Sequence, residues 1–330
     1  MPTAQFEKLM QKTIMNEALQ KSGLRETRAD SRENGTDGFR SIIIAISVLV
    51  LAGVWAYTTG FVASGDPKQP RTIKSRNAAA SLEEKVLPSE GVVLPVHWDD
   101  LGAKMVSAGV IDKEKFTSLY GDRGGLTEEE KKLLEDSRNG QLRITATNSG
   151  FLLNLFWALG LSAKNDILET GPMRDPRYGG TGNYASTGGW TLAAHDAMSH
   201  YSRHPFIVLT PDEQQLVEEV SKNVYRPCCN NPTHFPDCNH GMAMLGLLEL
   251  MASQGVSEEN MYRAALAVNA YWFPDSYLTI ANYLESKGMS WDNADPKAVL
   301  GYDFSSGLGY RRILSHMTAP QEQNSGSCGV

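Results

Sequence analysis

The sequence predicts a mainly α protein: one N-terminal transmembrane helix followed by a helical globular domain. Three observations carry that reading. Residues 41–63, SIIIAISVLVLAGVWAYTTGFVA, contain no charge and lie between Arg40 and Asp66, which is long enough to span a bilayer core as a helix. From Trp98 onward apolar residues recur at helical spacing between turn signals, with no even series of period-two β-branched runs. Residues 242–252, MAMLGLLELMA, carry Glu249 as their one charge, so they read as a helix buried on nearly all sides and the centre of the soluble domain.

The elements follow in order. Residues 1–40 read as a polar tail with a short amphipathic helix, because Phe6, Leu9, Met10, Ile14, Met15 and Leu19 fall at roughly helical spacing before a charged, apolar-poor stretch. Within the span 41–63, Trp55, Tyr57 and Phe61 sit toward the C-terminal end, where aromatic rings favour the interface with membrane lipid. A cleaved signal peptide does not fit a 40-residue polar lead and so long an apolar run. Basic residues are nearly balanced across the span: Arg25, Arg28, Arg32 and Arg40 precede it, and Lys68, Arg71, Lys74 and Arg76 follow. That balance leaves orientation to the layout: a short N-terminal tail, one span and a large domain is the usual form of an uncleaved signal anchor, so the expected placement is single-pass in the cell membrane, N-terminus cytoplasmic, C-terminal domain external.

Residues 64–95, with four prolines, read as a linker, and residues 96–317 as the soluble domain. Its expected helices cover 99–108, a short one capped by Asp112 through Tyr120, and one opened by Thr127-Glu128-Glu129-Glu130 in a capping-box pattern. Next comes a buried helix at 151–161 after Asn148, then a helical stretch 193–206 that carries His195, His200 and His204. A strong helix starts at Thr210-Pro211-Asp212-Glu213 and runs to Tyr225. After the buried 242–252 helix, Ser257 caps another that Phe273-Pro274 should break. Residues 318–330 read as a flexible tail. Cys328 near its end is a passive free thiol or, on a flexible arm, a resolving or metal-delivering group.

With 41% hydrophobic and 21% charged residues the chain has the composition of a folded protein, and a net charge of −7 without a basic stripe excludes a nucleic-acid binder. Small molecules, metals or proteins are the expected partners.

Chemistry concentrates in residues 225–242, which hold three of the four cysteines and two of the seven histidines. Cys228, Cys229, His234, Cys238 and His240 are soft or borderline donors in the pattern Cys-Cys-x4-His-x3-Cys-x-His, the material of a thiolate/imidazole metal site or of a thiol redox site. Pro227, Pro232 and Pro236 stiffen the loop. Cys238 falls where the buried helix should begin, and the helix dipole there favours its thiolate. A plainer arrangement makes Asp237 or Asn239 the N-cap and bridges Cys228 or Cys229 to Cys238 as a staple. His200 and His204, four apart, have metal-pair spacing, but His204 before Pro205 also suits a helix C-terminus. Met242, Met244 and Met251 read as core filler. The Gly180-x-Gly182-x-x-Ala185 match lacks a strand-to-helix context and reads as a surface loop folding over a site.

The run 216–273, helix, YRPCCNNPTHFPDCNHG, helix, then SQGVSEENMYRAALAVNAYWF, resembles in outline the small helix, Cys-loop, helix domain of cytochrome c maturation thiol oxidoreductases. It is also similar to Cys/His-rich lipoprotein domains in which a histidine precedes an Asp-Cys pair, as His234 precedes Asp237-Cys238. The whole chain resembles a prokaryotic membrane-anchored Cys/His-loop family. The maturation resemblance implies an outward-facing thiol oxidoreductase, yet Cys228 and Cys229 are adjacent instead of forming C-x-x-C. Three functions are thereby expected. The first is a membrane-anchored protein binding zinc, copper or haem iron through Cys228, Cys229, His234, Cys238 and His240. The second is a thiol-disulfide oxidoreductase using Cys228, Cys229 and Cys238. The third is a structural subunit, stapled by a disulfide, among partner proteins in a membrane complex.

Overall fold

The structure, a computed structural model, describes residues 73–318. The expected amphipathic segment, the span 41–63, the first part of the linker and Cys328 lie outside the described residues. Among the described residues no helix is long and apolar enough to cross a membrane.

The domain is mainly helical, as expected, and begins earlier than expected. Where a linker was predicted over 64–95, helix α1 (Ile73–Val86) and strand β1 (Val92–His97) are already part of the fold. The helix is explained by its alanines and Leu-Glu-Glu-Lys run, good helix formers, and by Leu82 and Val86, one turn apart and both buried. Two of the four prolines that pointed to a linker lie in the described residues, and Pro88 only ends the helix, where its carbonyl accepts from Tyr271 Oη at 2.6 Å. Pro95 sits in the irregular stretch between Val93 and His97, where β1 bulges against β2 (Gln141–Ile144) in an antiparallel pair. A proline without a donor is tolerated at such a bulge. Leu94, Val96, Leu142 and Ile144 face the core.

Helix α2 (Leu101–Ser107) falls within the expected 99–108, and α3 (Lys113–Ser118) and α4 (Glu128–Glu135) follow their predicted caps. The Asp112 carboxylate accepts from Lys115 N, and Thr127 and Glu130 form a reciprocal capping box. Helix α5 (Ser149–Ser162) is the buried helix expected after Asn148, and α6 (Asp166–Thr170) follows. The stretch with three histidines is not the predicted helix: only a 3-10 turn forms, Ala197–Ser199. Asp196 caps that turn through Met198 N, and Ser202 takes φ +49°, a left-handed conformation that no helix continues through.

Helix α7 (Pro211–Asn223) has the predicted capping box of Thr210 and Glu213. Helix α8 (Asn239–Ser253) is buried continuously from Gly241 to Ala252. Its neighbour is α5, and the two backbones touch. A Cβ at Gly160 would lie 2.1 Å from the Met242 carbonyl oxygen, and one at Gly246 would lie 2.6 Å from that of Phe156. Glycine in the middle of these apolar helices, otherwise a helix-weakening choice, is what allows the close approach. Helix α9 (Glu258–Trp272) ends at Phe273, and α10 (Pro274–Ser286) restarts at the proline as predicted. Short helices α11 (Pro296–Leu300) and α12 (Tyr302–Ser305) lead into α13 (Gly307–Thr318).

Candidate metal centre

The loop 224–238 joins the C-terminal end of α7 to the N-terminal end of α8. It folds back on α7, using carbonyls that a helix end leaves unpaired: Thr233 N and Oγ1 donate to Val224 O at 2.8 and 2.9 Å, and His234 N donates to Ser221 O at 3.0 Å. On its far side α13 docks by its N-terminus, with Gly307 N donating to Cys229 O at 2.7 Å and Leu308 N to Asn230 Oδ1 at 2.8 Å.

This folding brings the sulfurs of Cys228, Cys229 and Cys238 within 4.8 Å of one another. Cys228 Sγ and Cys238 Sγ are 3.7 Å apart, and all three cysteines are free. Cys228 is exposed, while the other two are half-buried. Cys238 is itself the N-cap of α8, in place of the predicted Asp237 or Asn239, with an extended backbone and no side-chain capping bond. Its sulfur is left for the cluster.

Of the other predicted donors, neither histidine joins the three sulfurs. His234 is held on α7, its Nδ1 3.4 Å from Ser221 Oγ, and burial lowers its pKa. His240 packs against Phe273, ring centroids 4.5 Å apart, and against Trp272. It lies close enough to Cys238 to favour that thiolate. His200 and His204 do meet, Nδ1 to Nε2 at 3.0 Å, through a turn remote in sequence from the cysteine loop.

The residue missed by sequence reasoning is Arg226. Its side chain is 1% exposed, and its guanidinium fills the interior of the loop. Nε donates to Cys238 Sγ at 3.0 Å, Nη1 to Asn231 O at 3.0 Å, and Nη2 to Asp237 Oδ1 at 2.8 Å. Asn231 Nδ2 completes the frame by donating to Asp237 Oδ2 at 2.8 Å. Gly241 makes room, since a Cβ there would meet Arg226 Nη2 at 2.4 Å. An arginine beside Pro-Cys-Cys was visible in the chain; nothing local announced its burial.

One negative charge concentrates on Cys238. Hydrogen bonds from the Cys228 and Cys229 thiols, with His240 and the Arg226 charge, hold it well below the usual thiol range against the opposing effect of burial. Cys228 is pushed up by the same thiol contacts and by burial. Cys229 is raised to about 11: Cys228 pulls it down, and the Cys238 contact together with burial outweighs that pull. The arrangement is two thiols donating to one thiolate, a nucleophile and ligand set in a single cluster.

The glycine-rich segment lies against this loop. The Gly180-Gly182 match forms a 3-10 turn, Thr181–Asn183. Ser186 N donates to Asp237 O at 3.2 Å, and Tyr184 meets Phe235 edge-on at 5.7 Å. Comparisons with protein-family models, curated proteins and solved structures found no match.

Proposed function

We propose that this protein binds a thiophilic metal ion, zinc or copper, through Cys228, Cys229 and Cys238, on a domain anchored to the cell membrane by residues 41–63 and facing outward. The supporting observation is the sulfur triangle. Two thiolates at about 2.3 Å from a tetrahedral zinc are about 3.8 Å apart, and Cys228 and Cys238 stand 3.7 Å apart with the third sulfur alongside. Arg226, paired with Asp237, also donates from Nε to Cys238 Sγ at 3.0 Å and so fixes the position of one of the three sulfurs. Haem iron is less well matched, because its axial ligands approach from opposite faces and these sulfurs converge from one side. Membrane lipid and partner proteins of a membrane complex remain the proposed surroundings.

The test is metal analysis of the reduced, full-length protein after dialysis against zinc. One ion per chain is expected, lost in the Cys228/Cys229/Cys238 triple serine variant. Equal, negligible metal in both would end the reading.

A second reading has its own observation. Exposed Cys228 faces the Cys238 thiolate, the arrangement of a thiol-disulfide oxidoreductase in which Cys238 attacks and Cys228 resolves. It expects a Cys228–Cys238 disulfide at oxidising poise. A free-thiol count that stays constant across redox buffers counts against it. The staple reading requires an S–S bond of about 2.05 Å, and it expects serine variants to melt the domain.

A further inference from the structure

Apart from the sulfurs, the side chains around the triangle are held by neighbours of their own or stand beside a single sulfur. Both oxygens of Asp237 accept hydrogen bonds, from Arg226 and from Asn231. His234 faces Ser221, and His240, packed on Phe273, lies beside Cys238. Among the described residues no histidine or carboxylate joins the three sulfurs within 4.8 Å. A closed zinc site takes four protein ligands, whereas the ligand atoms that converge here are three sulfurs, His240 lying beside Cys238 but not within 4.8 Å of all three.

Charge points the same way. Arg226 and Asp237 form a buried ion pair, 1% and 22% exposed, and cancel each other. Three thiolates around a divalent ion leave one net negative charge at this half-buried place; around a trivalent centre they leave none. Net charge away from water is disfavoured.

We infer, resting on the thiolate-ion reading above, that the substrate of this site is trivalent arsenic, captured from arsenous acid by Cys228, Cys229 and Cys238. The step is a condensation. Three As–O bonds break and three As–S bonds form; two hydroxyls leave as water with the protons of the Cys228 and Cys229 thiols, and the third, displaced by the Cys238 thiolate, leaves as water with a proton taken from solvent. Arsenic stays trivalent, so neither oxidant nor reductant takes part. The product is neutral, and the lone pair on arsenic occupies the side where a fourth ligand would otherwise stand. Exposed Cys228 provides the entrance, and Cys238, fixed at the start of α8, provides the floor.

The experiment uses the full-length, reduced Cys328→Ser protein, whose remaining cysteines are the three of the cluster. Sodium arsenite and zinc are titrated in parallel without oxygen. Free thiols are counted, and retained arsenic or zinc is measured after desalting. The expected result is one arsenic per chain with all three thiols consumed, and loss of retained arsenic in each of Cys228→Ser, Cys229→Ser and Cys238→Ser. Circular dichroism checks that each variant is folded; Cys228→Ser, at the exposed position, carries the test if serine at 238 unfolds the domain. If zinc is retained by the three thiols while arsenite consumes none or only two, the inference is overturned and the metal reading stands. If neither is retained, both fall.

Discussion

Glu249 lies in the middle of α8 at 1% exposure, and neither carboxylate oxygen has a hydrogen-bond partner among the described residues. Burial alone raises its pKa well above the ordinary value of 4.5. The sign of the consequence follows from proton counting. Above the unfolded-state pKa the unfolded chain has released this proton while the folded chain keeps it, so stability falls as pH rises, until the folded pKa is passed. Each pH unit in that window costs about 1.4 kcal/mol. Glu249→Gln keeps the shape and the buried polar atoms but cannot ionise. Between pH 5 and pH 7 wild type should therefore lose up to about 2.7 kcal/mol relative to Glu249→Gln, or roughly 5–10 °C in Tm for a domain of this size. Glu249→Met also removes the two orphaned oxygens, each worth about 1–3 kcal/mol of desolvation, and should be the most stable of the three at pH 7. Urea or thermal unfolding followed by circular dichroism at half-unit pH steps gives the curves. Parallel pH dependence in wild type and Glu249→Gln would refute the reasoning.

Further outcomes concern the centre and its support. Arg226→Met leaves Asp237 and the Cys238 thiolate without their buried cation, and loss of one partner of a buried pair costs about 3–5 kcal/mol; urea unfolding reads the loss, and iodoacetamide labelling of Cys238 at pH 6 should slow. Zinc binding should weaken as pH falls from 9 to 6, because Cys228 and Cys229 hold their protons above the ordinary thiol range and must release them to the ion; calorimetry in buffers of different ionisation enthalpy counts the protons, and none released would contradict the assignment. Gly160→Ala places a methyl against the Met242 carbonyl and should destabilise by at least the roughly 1–3 kcal/mol of ordinary overpacking, read as a fall in the urea midpoint.

What the sequence made legible was local. Thr127 and Thr210 announce their helices because a capping box is written within four residues, and Phe273-Pro274 announces a break because proline cannot continue a helix. The strands were missed because one is short and interrupted by Pro95 and the other has four residues, too few to establish a period. The stretch 193–206 looked helical from composition, and the Asp196 cap and the left-handed Ser202 decided otherwise. At the centre, the sulfurs could be named from their clustering. The exclusion of His234 depends on how the loop folds back over Ser221, and the burial of Arg226 on where α8 and α13 stand, which are non-local facts. The paired glycines of α5 and α8 likewise acquire their meaning only face to face.

The sulfur triangle is mechanically unequal. Cys238 is the N-cap of the deeply packed helix α8, whose backbone is pressed against α5 at Gly246, whereas Cys228 and Cys229 ride on the surface loop that also receives the first amides of α13. A guest held by all three sulfurs would act as a bolt between core and loop, fastening the C-terminal helix indirectly through Cys229 and Asn230. Its departure would be staged, beginning at the solvent-facing Cys228 corner and ending at Cys238.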